Sequence, residues 1–313
     1  MAEACGPPCA LDLSLLIPHP QIMFTRFLIG LDGSPQSAVA LAQAITIGER
    51  FNSTLVLARV VRPDRLDEQL IRSLGAPWRE GRPMPLPPDR AVLEQAAAQL
   101  LEEEAGAVRR AGLPVETAVR TGDVATELQS LAGQVDLVFV GRIGVGAGPD
   151  PLGPDARGVI RKAPVPVIVC GSVVSPMDHV AVAYDGEAGG MQALALAARF
   201  AQVTGARLEV IHAAKEEHQG GEVLARASMA LSEFPLRFET HLCRGDVEDA
   251  TAQAVRQLGC NALFAGAHRE DRQVLVPSHT EGILRATDIP VLVHPESAGM
   301  SARLSASYRR SSS

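Results

Sequence analysis

Five glycines form the stretch of the chain whose residue types and spacing could bind a ligand: Gly141, Gly144, Gly146, Gly148 and Gly153. They follow an apolar run at residues 135–140 and precede residues 155–163, which predict a short helix. Glycines let backbone N–H groups crowd around a ligand, and the N-terminal end of a helix carries partial positive charge. A strand, a glycine loop and a helix N-terminus together indicate a site for an anion such as phosphate.

The two best-known phosphate loops do not fit this stretch. A dinucleotide fingerprint needs a third glycine where this chain has Pro149. A Walker A loop needs Lys and Ser/Thr where this chain has Pro154 and Asp155. The loop therefore belongs to neither class.

Composition limits the classes of function. The chain has 313 residues, 46% of them hydrophobic and 21% charged, which is typical of a globular protein long enough for two domains. A net charge of −7 and the absence of a basic run argue against a nucleic-acid partner. No apolar run approaches the roughly 20 residues of a membrane span. Five scattered cysteines indicate reduced thiols and a cytoplasmic location.

Catalytic and metal-binding signatures are not found in the sequence. There is no Gly-x-Ser-x-Gly nucleophile elbow and no His-Glu-x-x-His pair. Cys5 and Cys9 lack further ligands at a suitable spacing, and His268 and His279 lack a third ligand. We therefore predict neither a catalytic constellation nor a metal site.

An internal repeat decides the architecture. Residues 27–60 align without a gap to residues 180–213, and residues 116–124 match residues 239–247. The matches keep the same order in both halves, so one unit has been duplicated in tandem.

Each repeat alternates strands with helices, which predicts a parallel sheet covered on both faces. A proline-rich stretch at residues 63–88 predicts irregular structure. Ligands bind such sheets at the carboxyl ends of the strands, where Asp32 and Gly141 are expected to face one crevice. For the first repeat we predict strands at residues 26–31, 54–60, 115–121, 135–140 and 165–169, and helices at residues 35–51, 89–111, 124–133 and 155–163.

These features resemble the universal stress proteins in their tandem two-domain form. The marks are Asp-Gly-Ser after the first strand, a Thr/Arg-Gly-Asp segment, and RKAPVPVIV after the glycine loop. ATP-binding members of that family have Gly, two residues, Gly, nine residues, then Gly-Ser/Thr. Gly141 and Gly144 match the first two glycines, and Gly153 matches the third with one residue fewer between.

The resemblance implies an α/β fold of two tandem doubly wound domains, each with a five-stranded parallel sheet of order 3-2-1-4-5, as in adenine-nucleotide α-hydrolases. The predicted domains are residues 23–171 and 178–295, flanked by an extension at residues 1–22 and a disordered tail at residues 296–313. The resemblance also implies contact between the domains through the edge strands that end in Val169 and Val293, and a homodimer.

The same resemblance implies that the first domain binds ATP, with or without Mg²⁺, and acts in regulation of the stress response. Slow ATP hydrolysis stays open, because phosphoryl transfer needs mainly positioning and a metal ion. The residues implied to contact the nucleotide are Gly30, Asp32, Val60, Val140, Gly141, Arg142, Gly144, Gly153 and Asp155.

Departures from the family pattern lie at the end of each glycine loop. Pro154 replaces the Ser/Thr of the first loop and offers neither a hydroxyl nor an N–H, and Asp155 adds negative charge. In the second repeat Arg269 and Pro277 replace glycines, so we predict a degenerate, structural copy. The alternative function is a nucleotide-free module that binds a protein or a metabolite. An enzyme of the wider fold is disfavoured, because no Ser-Gly-Gly-x-Asp-Ser loop follows the first strand.

Overall fold

A computed structural model of the chain describes residues 24–62, 70, 73–74, 89–144, 150–214, 217–232, 234–267 and 279–295. The predicted N-terminal extension, most of the proline-rich stretch and the predicted C-terminal tail lie outside these residues. The second glycine loop, with Arg269 and Pro277, lies outside them as well.

The first repeat forms strands and helices in the predicted order, with ends that differ from the prediction by at most two residues. Its elements are β1 (Arg26–Gly30), α1 (Pro35–Phe51), β2 (Thr54–Val61), α2 (Arg90–Arg110), β3 (Val115–Thr121), α3 (Val124–Ala132), β4 (Leu137–Gly141), α4 (Pro154–Lys162) and β5 (Val167–Cys170).

The second repeat has the same order of elements. They are β6 (His179–Ala183), α5 (Ala188–Thr204), β7 (Arg207–Ala214), α6 (Glu217–Leu231), β8 (Phe238–Arg244), α7 (Val247–Leu258), β9 (Ala262–Gly266), α8 (His279–Ala286) and β10 (Val291–His294). Within the part of the chain that the structure describes, no helix is long and apolar enough to cross a bilayer.

The two repeats share one ten-stranded sheet, with the order β3-β2-β1-β4-β5-β10-β9-β6-β7-β8. Read from each edge inward, both halves have the predicted order 3-2-1-4-5, and all pairs within a half are parallel. The halves meet where β5 pairs with β10 in antiparallel register, with Val169 opposite Val291. This confirms the predicted contact through the edge strands.

The sheet is covered on both faces, which explains why its central strands are apolar without alternation. In β1, Phe27 and Ile29 pack into one core, and Leu28 between them packs into the core on the opposite face. All three side chains are fully buried. Because the side chains of a strand alternate in direction, a polar residue in β1 would face a core on either side.

The linker between the repeats is fixed to α1. Gln43 is fully buried, and its amide nitrogen donates to the carbonyl oxygen of Ser175 at 2.9 Å. The N–H of Ser175 donates back to Gln43 Oε1 at 2.7 Å. This pair of hydrogen bonds holds the start of the second repeat against the first.

His294 at the end of β10 gives the fold a dependence on pH. The side chain is 1% exposed, and burial lowers its pKa from 6.5 to about 4. The folded chain therefore holds a neutral imidazole, while the unfolded chain takes up a proton below about pH 6.5. The stability that His294 contributes is fully present above that pH, and it is lost as the pH falls from about 6.5 toward 4.

We expect a His294→Cys variant, which carries the residue of the equivalent position Cys170, to lose less stability on acidification. Between about pH 7 and pH 5 the free energy of unfolding of the wild type should fall by about 2 kcal/mol more than that of the variant. Urea unfolding at both pH values measures this difference. An equal fall in both proteins would contradict the prediction, and His279→Cys at an exposed histidine is the matched control.

Candidate functional site

A cleft lined by polar and apolar groups lies at the carboxyl ends of β1, β2 and β4. The cleft encloses about 840 Å³, counting the space at its open mouth. In a sheet of order 3-2-1-4-5 the chain changes direction between β1 and β4, which is where ligands bind in such folds. Side chains and backbone from β1, β2, β4, α3 and α4 line the cleft.

The turn after β1 holds Asp32 at the floor of the cleft. Asp32 Oδ1 accepts the N–H of Ser34 at 3.0 Å, and Ser34 Oγ accepts the N–H of Ser37 at 3.1 Å to cap α1. Gly33 between them has φ 79°, in the left-handed region that glycine adopts without strain. The Asp-Gly-Ser motif is therefore a helix start that directs a carboxylate into the cleft.

Two glycines of the first loop are required by close approach. A Cβ built on Gly141 would lie 2.9 Å from the backbone carbon of Gln36, at the start of α1. A Cβ built on Gly144 would lie 2.6 Å from Asp32 Oδ2. Both distances are too short for a real side chain. A side chain at position 141 would therefore require the backbone to shift, and one at position 144 would require either the loop or the Asp32 carboxylate to move.

The N-terminal end of α4 opens into the cleft. Gly153 is the N-cap residue, no side chain caps the helix, and Asp155 and Ala156 of the first turn line the cleft. The N–H of Gly153 donates to the carbonyl oxygen of Arg142 at 2.9 Å, which closes the glycine loop. The free N–H groups and the dipole of α4 make this end a site for negative charge.

An arginine that the sequence analysis missed lies at this helix end. Arg62, directly after β2, approaches Asp155 at 3.3 Å, and both side chains are partly exposed in the cleft. Arg157, in the same helix turn, pairs with Asp150 at 2.6 Å and with Glu281 at 3.3 Å. The only hint in the sequence was that Arg62 follows the strand end at Val60.

Of the nine residues predicted to contact a nucleotide, the structure brings seven together in the cleft lining. They are Gly30, Asp32, Val60, Val140, Gly141, Gly144 and Asp155. Gly153 lies one residue before the helix that lines the cleft, and it contributes the N-cap. Whether these residues bind a nucleotide stays a prediction.

Arg142 is not brought to the cleft, so its predicted contact with a nucleotide is corrected. Its side chain is buried, and its guanidinium donates to the carbonyl oxygens of Leu284, Thr287 and Ile289 in the second repeat. The reason is that α8 ends opposite this residue and presents carbonyl groups that no helical N–H satisfies. Arg142 therefore joins the two repeats.

The glycine loop is also tied to the second repeat through Asp150. Its carboxylate accepts hydrogen bonds from Arg285 at 3.2 Å, from the N–H of Leu152 at 3.0 Å, and from Arg157 at 2.6 Å. Arg285, Leu152 and Arg157 hold the pKa of Asp150 well below its usual range. The described end of the loop is thus anchored on α8.

A model of a protein family matches most of the sequence. The model of the universal stress protein family matches residues 23–171 and 177–295, most of the chain. This chain belongs to the universal stress protein family. Membership places it, in broad terms, among proteins of the stress response.

Solved universal stress proteins share the fold. One from Archaeoglobus fulgidus DSM 4304 is 18% identical with a TM-score of 0.69, covering 87% of this chain and 98% of that chain. A putative universal stress protein from Pseudomonas aeruginosa UCBPP-PA14 is 18% identical with a TM-score of 0.63, and the match covers 91% of this chain and 98% of that chain. A protein of unknown function from Pseudomonas aeruginosa PAO1 is 17% identical with a TM-score of 0.62, covering 92% and 98%. No curated protein matches this chain.

The second repeat of this universal stress protein keeps the turn but changes its surroundings. Asp185 occupies the position of Asp32, and its Oδ1 accepts the N–H of Glu187 at 2.9 Å. Gly186 repeats the left-handed turn with φ 85°. A Cβ on Gly190 would lie 2.2 Å from Asp185 Oδ1, so the carboxylate packs down on the start of α5. Arg269, Pro277, Ser278 and His268 lie outside the described residues, so the degenerate loop stays a prediction.

Proposed function

We propose that the first repeat binds an adenine nucleotide, ATP with Mg²⁺, and that the protein acts as a nucleotide-dependent regulator in the stress response. The observation that carries the proposal is the cleft at the carboxyl ends of β1, β2 and β4, into which the uncapped end of α4 opens beside Gly144.

The cleft offers separate surroundings for the two ends of a nucleotide. Its inner wall is apolar, with Leu128 and Val140 available to a base, while Asp32 can accept hydrogen bonds from an adenosine. Its outer part has the N–H groups of α4 and the guanidinium of Arg62 for phosphates. Apolar surface near a few placed polar groups is the pattern of a cofactor site.

The hydroxyl groups in the cleft argue against turnover by a serine nucleophile. Ser34 Oγ caps α1, and Ser37 Oγ donates to the carbonyl oxygen of Ser34 at 2.9 Å. Among the described residues neither hydroxyl donates to a general base, which a serine nucleophile needs. Slow hydrolysis of ATP by a positioned water stays open, because it needs no such nucleophile.

The charge of Asp155 sets the strength of the proposed binding. Asp155 holds Arg62 and adds negative charge where the phosphates would lie, so ATP competes with it for the same guanidinium. We expect Asp155→Asn to strengthen ATP binding about tenfold and Arg62→Gln to weaken it about tenfold, since one hydrogen bond to a charged group contributes about 1.5–3 kcal/mol. Isothermal titration of the full chain with ATP and Mg²⁺ measures both.

The control is Asp249→Asn, at an exposed position in the first turn of α7. The protein is first checked by mass spectrometry for nucleotide carried through purification. No heat from the wild type, together with no carried nucleotide and no gain in Asp155→Asn, would contradict nucleotide binding. The interaction module without a nucleotide would then be the better account of the cleft.

A further inference from the structure

A cluster of histidine and glutamate side chains lies in the second repeat, toward the amino-terminal ends of its strands. The cleft, by contrast, lies at the carboxyl ends of strands in the first repeat. The cluster consists of His179 in β6, Glu209 in β7, and Glu239 and His241 in β8. His179 Nε2 lies 2.8 Å from Glu209 Oε1, and His241 Nε2 lies 2.8 Å from Glu209 Oε2. Glu209 is paired in register with Glu239, so the four side chains share one face of the sheet.

Burial of the Glu209 carboxylate, at the centre of the cluster, is unfavourable in free energy. Glu209 is 2% exposed, and placing a charged carboxylate in a protein interior is unfavourable unless it is neutralised. The guanidinium of Arg207 is near, at 3.4 Å from Glu209 Oε1, but its side chain is 64% exposed and directed to solvent. The imidazoles of His179 and His241, each at 2.8 Å, are the groups in closest contact with this carboxylate.

The first repeat shows that the fold does not need this cluster. At the four equivalent positions it has Arg26, Val56, Glu116 and Ala118, and Val56 pairs in register with Glu116 as Glu209 does with Glu239. There Arg26 and Glu116 form an ion pair at 2.7 Å, and Val56 is buried in the core. The second repeat therefore has a carboxylate and an imidazole where the same strands pack well with a valine and an alanine.

The ligand atoms of the cluster are close enough to share one ion. One atom each from Glu209, Glu239 and His241 lie within 4.8 Å of one another. Ligands on a four-coordinate zinc ion are about 2.0–2.2 Å from the metal, so two of them are about 3.4 Å apart. Small rotations of the exposed Glu239 would bring the three atoms to that geometry.

We infer that Glu209, Glu239 and His241 bind a divalent transition-metal ion of the zinc class, and that His179 positions Glu209 for it. Imidazole nitrogen together with carboxylate oxygen suits Zn²⁺, Cu²⁺ or Ni²⁺, whereas Ca²⁺ and Mg²⁺ take oxygen ligands alone. His179 contacts Glu209 Oε1, whereas His241 contacts Glu209 Oε2. A hydrogen bond from an outer residue commonly orients a carboxylate that binds a metal, and His179 is placed to make such a bond.

The location of the cluster determines how an ion can reach it and how binding would affect the stability of the fold. Glu239 is exposed and His241 is 25% exposed, so an ion can enter from solvent at the edge of the sheet and keep a water as its fourth ligand. The ion would join the edge strand β8 to β7. Because only the folded chain brings these ligands together, binding should raise thermal stability.

The test uses the full chain, free of tags and treated with a chelator, titrated with Zn²⁺ by calorimetry and with Co²⁺ by visible absorption. We expect one ion per chain and Co²⁺ bands typical of a four-coordinate site. The double variant Glu209→Val with His241→Ala carries the residues of the first repeat and should lose the ion. The control is Glu116→Gln, the counterpart of Glu239 in the first repeat, which should bind as the wild type does.

His179→Ala tests the positioning role, with an expected loss of about ten- to a hundred-fold in Zn²⁺ affinity and unchanged stoichiometry. Circular dichroism shows whether each variant is folded. If the double variant is unfolded, Zn²⁺ titration of Glu239→Gln, at an exposed position, tests the inference in its place. No Zn²⁺ binding by the wild type, or Zn²⁺ binding by Glu239→Gln and the double variant that is as tight as that of the wild type, would overturn the inference. The ATP titration is independent of these variants, so either proposal can be rejected alone.

Discussion

Gly144→Val should abolish ATP binding, with at least about a hundred-fold loss of affinity, or about 2.7 kcal/mol. The Cβ of the new residue would lie 2.6 Å from Asp32 Oδ2, so either the loop or the carboxylate must move. Both groups line the cleft, and either movement removes a contact that the proposed nucleotide needs. The expected result rests on the close approach of Gly144 to the Asp32 carboxylate and applies to any ligand held between Asp32 and the loop.

Isothermal titration of Gly144→Val with ATP and Mg²⁺ measures the effect, and thermal unfolding shows whether the variant is folded. The matched control is Gly221→Val in α6, where an added Cβ would meet no atom within 4 Å. Wild-type affinity in a folded Gly144→Val protein would show that the nucleotide does not lie between Asp32 and the loop.

The topology could be predicted because the chain contains two copies of the same unit, which can be aligned with each other. A single copy of the apolar run at β1 is compatible with a strand or a buried helix segment. The ungapped match between residues 27–60 and 180–213 shows two strand-helix-strand units of the same length, which fixes the order of elements. The position of Asp32 and Gly141 at one sheet edge then follows from the parallel arrangement, and the structure places both in the cleft.

Side chains whose partners are distant in sequence could not be predicted. The family resemblance implied that Arg142 contacts a nucleotide, but its partners are carbonyl groups in and just after the end of α8. Arg62 reaches Asp155 only because β2 ends beside α4. Glu209, His179 and His241 come from three strands and have no spacing that a motif could capture, so the sequence predicted no metal site there. In each case the register of the sheet, rather than local pattern, brings the groups together.

Arg142→Met should lower the free energy of unfolding by about 4 kcal/mol. The guanidinium is 6% exposed and donates to the carbonyl oxygens of Leu284, Thr287 and Ile289. Burial lowers the pKa of Arg142, but an arginine stays charged at neutral pH, so it also stabilises the negative end of the α8 dipole. Methionine keeps the apolar stem and volume and leaves buried acceptors without a donor, each costing about 1–3 kcal/mol.

Urea unfolding followed by circular dichroism measures this loss, and Arg142→Lys should fall between the wild type and Arg142→Met because one ammonium cannot reach all three oxygens. Arg120→Met, at an exposed position on β3, is the control for removing a positive charge. If Arg142 mainly joins the repeats, the second repeat should unfold first in Arg142→Met and the transition should broaden, because α8 loses one of its contacts with the first repeat. A change below about 0.5 kcal/mol, which is typical of surface substitutions, would show that the end of α8 is held by other contacts.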